Sequence, residues 1–209
     1  MESTKKESHN WLGSCQNINL MELEIKRCAW STSDETYQNY HDTEWGVPKY
    51  DERTLFEMLI LEGAQAGLSW ITILKRRPNY RKAFDNFDVE KVANYSPEKV
   101  EKLITDKGII RNRLKIKSAI KNAKVFIEIQ KEFDSFSKYI WDYVDQKPII
   151  NYYKDKKVLP VTSPIAEEIS KNLKQRGMSF VGPIIMYSYM QSIGMVNDHT
   201  LDCYLRKEE

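Results

Sequence analysis

The stretch DERTLFEMLILEGAQAGLSWITIL, residues 51–74, decides the fold class because its apolar residues recur at helical spacing. The recurring positions, mostly three or four residues apart, are Leu55, Phe56, Leu59, Ile60 and Gly63. Asp51 stands before them as a candidate N-cap, and Gly67 interrupts the pattern before residues 68–74 resume it. We therefore predict an amphipathic helix, a turn at the glycine, and a second, short apolar helix.

The same helical spacing recurs on both sides of this stretch. It predicts further helices over residues 34–45, 89–95, 97–104, 112–131, 135–144, 163–176 and 183–193. Residues 146–160 form the longest irregular connection, and we find no strand ladder and no internal repeat. The sequence therefore predicts an all-α protein with one helical domain over residues 22–209, preceded by a flexible tail over residues 1–21.

Composition places the chain among ordinary soluble globular proteins. Its 209 residues are 41% hydrophobic and 30% charged, and the net charge of +2 by itself indicates no nucleic-acid partner. No run approaches the ~18 apolar residues of a membrane span, and no signal-peptide pattern opens the chain. We therefore expect a cytoplasmic protein without a membrane partner, and a monomer by default.

One segment departs from this even distribution of charge. Residues 107–124, called the basic segment below, contain seven basic residues and no Asp or Glu: Lys107, Arg111, Arg113, Lys115, Lys117, Lys121 and Lys124. Such a one-signed stretch in a near-neutral protein is typical of a surface that faces phosphates. A solvated helix face is the equally open alternative.

Cysteine and histidine residues suggest a metal site. His9 and Cys15 lie in the predicted tail, and we place them outside the functional core. The others are Cys28, His41, His199 and Cys203. Two Cys with two His match a closed, structural Zn²⁺ site, which would join the N- and C-terminal segments. Buried thiols and core histidines are the alternative, because sequence spacing does not pair the two halves.

Glu62 is unexpected at its position. It follows Leu59 by three residues and Leu55 by seven, so it falls on the apolar side of its helix. A carboxylate is rarely buried without a partner, because the loss of its hydration costs several kcal/mol. Glu62 is therefore a candidate site residue, and a salt bridge at the edge of the core is the more ordinary alternative.

Aromatic residues cluster around these positions in the sequence: Trp30, Tyr37, Tyr40, Trp45 and Trp70. Tyr37, Tyr40 and His41 share one helical face at the spacings i, i+3 and i+4. Rings at such spacing most often belong to a core. Together with one carboxylate, however, they offer a cationic purine stacking, cation–π attraction and a charge-assisted hydrogen bond.

A tight turn at residues 106–110 separates two predicted helices and adjoins the basic segment. Gly108 lets backbone N–H groups approach a phosphate, with basic residues at the flank. As a helix-hairpin-helix motif the turn is degenerate, because it has one glycine where two are usual. It indicates nucleic-acid binding only in combination with other features.

Taken in order, these motifs resemble the 3-methyladenine DNA glycosylase I family, a branch of the helix-hairpin-helix glycosylases. The similar runs are RCAW (27–30), YHDTEWGVP (40–48), LEGAQAGLSWITIL (61–74), GIIRNR (108–113), FVGP (180–183) and VNDH (196–199). They span nearly the whole predicted core, whereas residues 1–21 match nothing. The resemblance implies a helix-hairpin-helix glycosylase fold with two helical lobes and a base pocket between them.

The resemblance also implies roles for individual residues. The residues that match the family's zinc ligands are Cys28, His41, His199 and Cys203. Glu62 matches the acidic group that contacts the flipped base. The residues that match aromatic pocket walls are Trp30, Tyr37, Tyr40 and Trp70. The residues that match the loop filling the gap in the duplex are Gln65, Gly67 and Leu68. The residues that match the DNA-anchoring hairpin are Gly108, Arg111 and Arg113.

The activity that the resemblance implies is excision of 3-methyladenine from double-stranded DNA, which leaves an abasic site. Many related glycosylases have a catalytic Asp after the hairpin, and lyase members have a Lys within it. Neither is matched here, and Asp134 is the nearest acid. An N3-alkylated adenine is already cationic, so it leaves without being protonated. We therefore expect a monofunctional glycosylase in which Glu62 binds and orients the base.

Two other functions fit parts of the sequence. A damage sensor would keep the hairpin and the metal but perform no chemistry, although such a DNA binder has no need for a buried carboxylate. A metallohydrolase would use zinc to activate water, although a site with four protein ligands has no position for that water.

Overall fold

The computed structural model describes residues 25–31, 33–154 and 158–206, and the predicted tail lies outside them. The helices are α1 (Glu35–Thr43), α2 (Glu52–Gln65), α3 (Trp70–Ala83), α4 (Val89–Ala93), α5 (Pro97–Thr105), α6 (Arg113–Phe133), α7 (Phe136–Asp142), α8 (Pro164–Gln175) and α9 (Pro183–Ser192). The only strands in the described chain are β1 (Ile149–Ile150) and β2 (Val196–Asn197). The prediction of a mainly α-helical protein is confirmed.

The helices begin where the capping signals of the sequence predicted. Asp34 accepts hydrogen bonds from the backbone N–H groups of Thr36 and Tyr37. Asp51 accepts one from the N–H of Thr54. Five further helices have side-chain caps of the same kind: Asp88, Ser96, Asn112, Ser135 and Ser163. Each bond satisfies a backbone donor that the first helical turn leaves without a partner.

Helix α2 is the central helix of the molecule. Residues 55–64 are all buried, because α3, α6, α7 and α9 pack around them. The prediction of an amphipathic helix is wrong, since tertiary packing also covers the side that carries Glu57. That carboxylate is compensated by ion pairs with Arg77 and Arg81.

Helix α3 is longer than its apolar residues predicted, because it continues past residue 74 and through Pro78. Its second half has no apolar period, and ion pairs hold it in place instead. The buried guanidinium of Arg77 donates to Glu57 of α2 and to Glu44 at the end of α1. These bonds join the three N-terminal helices α1, α2 and α3.

The expectation of no β structure is wrong in one small respect. β1 and β2 pair in parallel, with Ile149 opposite Val196 and Ile150 opposite Asn197. Strands of two residues are too short for an alternating pattern to be visible in the sequence. The pair fastens the long connection after α7 to the segment after α9.

The hydrophobic core is centred on α2. The ring of Phe126 lies between those of Phe56 and Phe136, at centroid distances of 5.3 and 4.0 Å. Trp141 and Tyr189 are fully buried beside them. Among the helices that the structure describes, none combines the length and the apolar character needed to cross a bilayer.

Candidate active site and metal centre

A cavity of about 420 Å³ opens beside the C-terminal half of α2. The residues that line it are Trp30, Tyr37, Tyr40, Trp45, Glu62, Gln65, Trp70, Leu159, Pro160, Val161, Tyr187, Ser188 and Gln191. Glu62 is the only carboxylic acid among them. The structure thus brings Glu62 and all four predicted aromatic wall residues to one cavity, whose volume is typical of a small-molecule site.

Glu62 reaches this cavity from α2 and is only 3% exposed. Its Oε2 atom has no hydrogen-bond partner, and it forms no ion pair with any described residue. Burial raises the pKa of Glu62 to about 8, although a hydrogen bond with Ser192 lowers it in part. The alternative of a salt bridge at the edge of the core is therefore wrong.

Aromatic rings surround Glu62. Tyr40 meets Trp70 edge to face with a centroid distance of 5.4 Å. Trp30 meets Tyr37 in the same way at 5.1 Å. The indole N–H groups of Trp30 and Trp70 are buried and have no hydrogen-bond partner in the described part of the chain. Because buried polar atoms in folded proteins are nearly always paired, three unpaired ones around a single cavity indicate a place for a polar ligand.

Helix α1 supplies both tyrosines because its cap fixes the register. With Asp34 as N-cap, Tyr37 and Tyr40 fall one turn apart on the side that packs toward α3. Burial, and then the nearby Glu62, raise the pKa of Tyr40 well above its ordinary value. The Tyr40 side chain is therefore a neutral phenol throughout the physiological pH range.

Helix α9 contributes a wall of the cavity that no pattern in the sequence indicated. Tyr187, Ser188 and Gln191 form it. The buried carboxylate of Asp198 accepts hydrogen bonds of 2.7 Å from Tyr187 Oη and from Gln191 Nε2. It accepts a third, also 2.7 Å long, from Asn151 Nδ2 in the segment after β1. The VNDH run contained this signal, but nothing in the spacing connected its Asp to the cavity.

A second buried polar cluster lies behind the aromatic wall. It consists of Cys28, His41, His199 and Cys203, whose candidate ligand atoms all lie within 4.8 Å of one another. Cys203 Sγ is 3.4 Å from both His41 Nε2 and His199 Nδ1. Cys28 Sγ is 3.6 Å from His199 Nδ1. Bonds of about 2.0–2.3 Å to a central ion give a tetrahedron with edges of roughly 3.3–3.8 Å, so the cluster has the size of a metal site.

Neighbouring groups fix which ring nitrogen each histidine offers to the centre of this cluster. His41 Nδ1 lies 2.8 Å from Asp42 Oδ1. Because a carboxylate only accepts, Nδ1 carries the proton and Nε2 is left as the ligand atom. His199 Nε2 lies 3.3 Å from the carbonyl oxygen of Trp45, which leaves Nδ1 facing the centre.

The sulfur atoms also have an environment that suits a metal. Hydrogen bonding with Cys28, and then with the two histidines, lowers the pKa of the Cys203 thiol, whereas the bond to Cys203 and burial raise the pKa of the Cys28 thiol, so the pair shares one proton without a metal. The backbone N–H of Thr200 donates to Cys28 Sγ at 3.4 Å. Thiolates are the form in which cysteine binds metal ions, so the four residues could hold one.

Gln65, Gly67 and Leu68 lie where α2 ends, beside the cavity. Gly67 has a φ of +75°, a conformation that favours glycine, and nothing lies within 4 Å of the place where its Cβ would be. Leu68 is 40% exposed although it is a large apolar residue. The loop therefore has open space at Gly67, and Leu68 presents a large part of its apolar side chain at the surface.

The turn between α5 and α6 carries Gly108. A Cβ at this position would lie 3.0 Å from the Cβ of Asn79, so glycine lets the turn pack closely on α3. The N–H of Gly108 donates to Asp106 Oδ1 at 2.7 Å, and the N–H of Ile110 donates to the hydroxyl of Tyr80. These two N–H groups are thus paired within the protein, unlike the expectation that the turn leaves such groups for a phosphate.

The basic segment is mostly a solvent-exposed surface. Arg111 is exposed, and Arg113 is paired with Glu101 across the hairpin. Asp134, the acid nearest to the hairpin, is exposed, pairs with Lys138 and does not line the cavity. The cavity therefore contains no second acid besides Glu62 among the described residues.

Known proteins are similar to this chain over the residues that form the cavity and most of the Cys/His cluster. The family model described as methyladenine glycosylase matches residues 30–207. DNA-3-methyladenine glycosylase 1 of Escherichia coli strain K12 is 45% identical over 179 residues, which cover 86% of this chain and 96% of that protein.

This chain belongs to the methyladenine glycosylase family.

Solved structures extend the family relationship to three dimensions. A crystal structure of 3-methyladenine DNA glycosylase I has a TM-score of 0.85 at 45% sequence identity, and covers 87% of this chain and 100% of its own. A variant of 3-methyladenine DNA glycosylase I in complex with 3-methyladenine has a TM-score of 0.84 at 37% identity, with coverages of 88% and 98%. The methyladenine glycosylase match begins at Trp30 and extends beyond Cys203, so it includes the cavity and three residues of the Cys/His cluster.

Proposed function

We propose that this chain is a base-excision repair glycosylase that hydrolyses the N-glycosidic bond of 3-methyladenine in double-stranded DNA. The observation that carries the proposal is the ring-lined cavity in which Glu62 Oε2 and two indole N–H groups have no hydrogen-bond partner among the described residues. The family relationship, and the complex of a related protein with 3-methyladenine, support the same substrate.

The unpaired atoms of the cavity are complementary to a cationic purine. Glu62 offers an acceptor to an exocyclic amino group, and the indoles of Trp30 and Trp70 offer donors to ring nitrogens. Desolvated rings attract a cation by about 1–2 kcal/mol. A bound cation also favours the ionised form of Glu62, so its pKa falls from about 8 as the base enters. A neutral adenine lacks both gains, and the cavity thereby selects the alkylated base.

The chemical step then needs little help from the protein. The bond between C1′ of the sugar and N9 of the base breaks, and its electron pair stays with the base, which departs as neutral 3-methyladenine. A water oxygen bonds to C1′ and its proton passes to solvent, which leaves an abasic site. Because the leaving base needs no proton, Glu62 binds and orients it rather than acting as an acid. The proposed enzyme is monofunctional, without a lyase step.

The damaged base must leave the duplex before it can enter the cavity. Flipping costs a few kcal/mol, and less for a damaged base than for a normal one. The residues proposed to fill the gap are Gln65, Gly67 and Leu68. The residues proposed to anchor the DNA backbone are Gly108, Arg111 and Arg113. Of these, Arg113 would exchange its partner Glu101 for a phosphate.

The Cys/His cluster would hold Zn²⁺ through Cys28, His41, His199 and Cys203. Two thiolates and two imidazoles suit this ion, and the bond between His41 and Asp42 is the kind of contact that orients a zinc ligand. Such an ion supplies folding free energy by joining the segment before α1 to the segment after β2. Four protein ligands leave no position for a reactive water, which argues against a metallohydrolase.

The direct test is incubation of the purified protein with methylated duplex DNA, followed by chromatography of the released bases. We expect free 3-methyladenine and abasic sites that remain uncut until alkali is added. Unmethylated duplex of the same sequence is the control and should release nothing. Tight binding to methylated DNA without base release would overturn the proposal and favour the damage sensor.

A further inference from the structure

Lys115 is the member of the basic segment that turns inward. The other six basic residues of the segment are exposed, whereas Lys115 is half-buried. Its Nζ donates hydrogen bonds of 2.7 Å to the carbonyl oxygens of both Ala64 and Ala66. Two of the three donors of its ammonium group are thus committed to backbone carbonyls, so the role of Lys115 differs from that of its exposed neighbours.

These bonds supply hydrogen-bond donors to carbonyl groups at the C-terminal end of α2. The last carbonyls of a helix have no partners within the helix itself. Gly63 O accepts from the N–H of Ala66 at 3.4 Å, and Gln65 O accepts from the N–H of Leu68 at 2.6 Å. Lys115 supplies donors to Ala64 O in the last turn and to the carbonyl of the C-cap residue, Ala66. Its charge also stabilises the negative end of the helix dipole, for which α2 has no basic residue in its own last turn.

The position of the loop after α2 is fixed where the loop leaves the helix, at Ala66. Nothing lies within 4 Å of the Cβ position at Gly67, and Leu68 is 40% exposed, so packing constrains the tip only in part. Ala66, which ends α2, is held by Lys115. Lys115 follows Arg113 by two residues in the first turn of α6, so the helix that begins at the hairpin also holds the loop.

We propose that Lys115 is a positioning residue that sets the height of the 65–68 loop above the cavity and couples this loop to the hairpin. The inference rests on the proposed function. A base stays flipped while another group occupies its place in the duplex. Misplacing the loop therefore slows excision from duplex DNA and leaves the cavity itself unchanged.

The test compares Lys115→Met, which keeps the apolar stem, with Lys115→Arg, which keeps the donors. Lys131→Met removes the same charge from an exposed position at the far end of α6 and is the control. We expect Lys115→Met to slow single-turnover excision from methylated duplex at least about tenfold. The variants Lys115→Arg and Lys131→Met should stay close to the wild type.

Two further measurements separate positioning from other roles. The affinity for free 3-methyladenine, followed by tryptophan fluorescence, should be the same in Lys115→Met and the wild type. The salt dependence of duplex binding should also be unchanged, whereas loss of a phosphate contact would reduce its slope by about one. A reduced slope, an equal loss of free-base affinity, or wild-type excision by Lys115→Met would each overturn the inference. No base release by the wild type would instead overturn the proposed function, and this inference with it.

Discussion

Two buried polar clusters lie side by side in this protein, and they are built in opposite ways. In the Cys/His cluster the four ligand atoms face one another within 4.8 Å, and the outer ring nitrogens of both histidines have partners. In the cavity, Glu62 Oε2 and the indole N–H groups of Trp30 and Trp70 have none. The Cys/His cluster, called the closed cluster below, is paired within the protein, apart from an ion at its centre. The three unpaired cavity atoms, called the open cluster below, have no partner until a ligand binds.

The contrast separates stability from function. A paired buried cluster stabilises the fold, whereas an unpaired one costs free energy that only a ligand recovers. The two clusters nevertheless share a wall. Trp45 lines the cavity and its ring meets His199 at a centroid distance of 4.7 Å. Trp30 meets His41 in a similar way at 5.3 Å. Order in the metal centre therefore supports order in the cavity.

The largest expected effect is on the closed cluster. Cys203→Ser removes one ligand and leaves the others buried and unpaired, so we expect the free energy of unfolding to fall by more than ~3 kcal/mol. Denaturant titration and metal analysis of the purified protein measure this. A chelator should destabilise the wild type and should have no further effect on Cys203→Ser. Equal unfolding midpoints in the wild type and the variant would show that the cluster has no structural role.

A substitution in the open cluster should instead raise the free energy of unfolding. The folded state raises the pKa of Glu62 from 4.5 to about 8, so the folded protein binds more protons than the unfolded chain in this window. Stability is therefore lost as the pH rises from about 4.5 to 8. Glu62→Gln removes this loss, and we expect it to be more stable than the wild type by roughly 2–4 kcal/mol near pH 8.

Urea unfolding of both proteins at pH 5 and pH 8 measures the difference. The advantage of Glu62→Gln should be small at pH 5 and full at pH 8. A variant that is less stable than the wild type at pH 8 would mean that the Glu62 carboxylate has a partner in the folded protein.

A smaller effect is expected outside the metal ligands. Asp42→Asn weakens the bond that orients His41, so we expect the affinity for Zn²⁺ to fall about 10–100-fold while the protein still folds with excess metal. Competition with a chromophoric chelator measures it. Arg27→Met is the matched control, because it removes another partner of Asp42 and leaves the bond to His41. Equal losses in the two variants would contradict the orienting role.

The smallest effect compares two tryptophans. The indole N–H of Trp141 donates to the carbonyl oxygen of Lys49 at 2.9 Å, whereas that of Trp70 has no partner. The change to Phe removes a similar volume at both sites. We therefore expect Trp141→Phe to lower the free energy of unfolding by about 1–2 kcal/mol more than Trp70→Phe. Thermal unfolding of the two variants tests this, and an equal or reversed order would mean that the Trp70 donor is satisfied.

The parts of the fold that depend on neighbouring residues were predictable from the sequence. Caps such as Asp34 and Asp51 act within one turn, so these helix starts could be predicted directly from the sequence. The length of α3 could not, because distant ion pairs of Arg77 sustain it. The burial of α2 on all sides was hidden for the same reason, since helices far along the chain cover it.

The candidate site divides in the same way. The four Cys and His residues could be named, but their meeting rests on contacts between Cys28 and a segment over 170 residues away. Glu62 was found because an acid on an apolar face breaks a local rule. Gln191 and Asp198 were missed, because nothing in a single sequence indicates that α9 faces the same cavity as α1. The pairing of the Gly108 N–H with Asp106 was equally invisible.

Base release from DNA tests most directly whether the open cluster binds a cationic base. Single-turnover release of 3-methyladenine from methylated duplex DNA is measured for the wild type and for Glu62→Gln, after both are shown to be folded. We predict release by the wild type and a rate about 100-fold lower for Glu62→Gln, because the variant cannot compensate the positive charge. Equal rates for the two proteins would contradict the account.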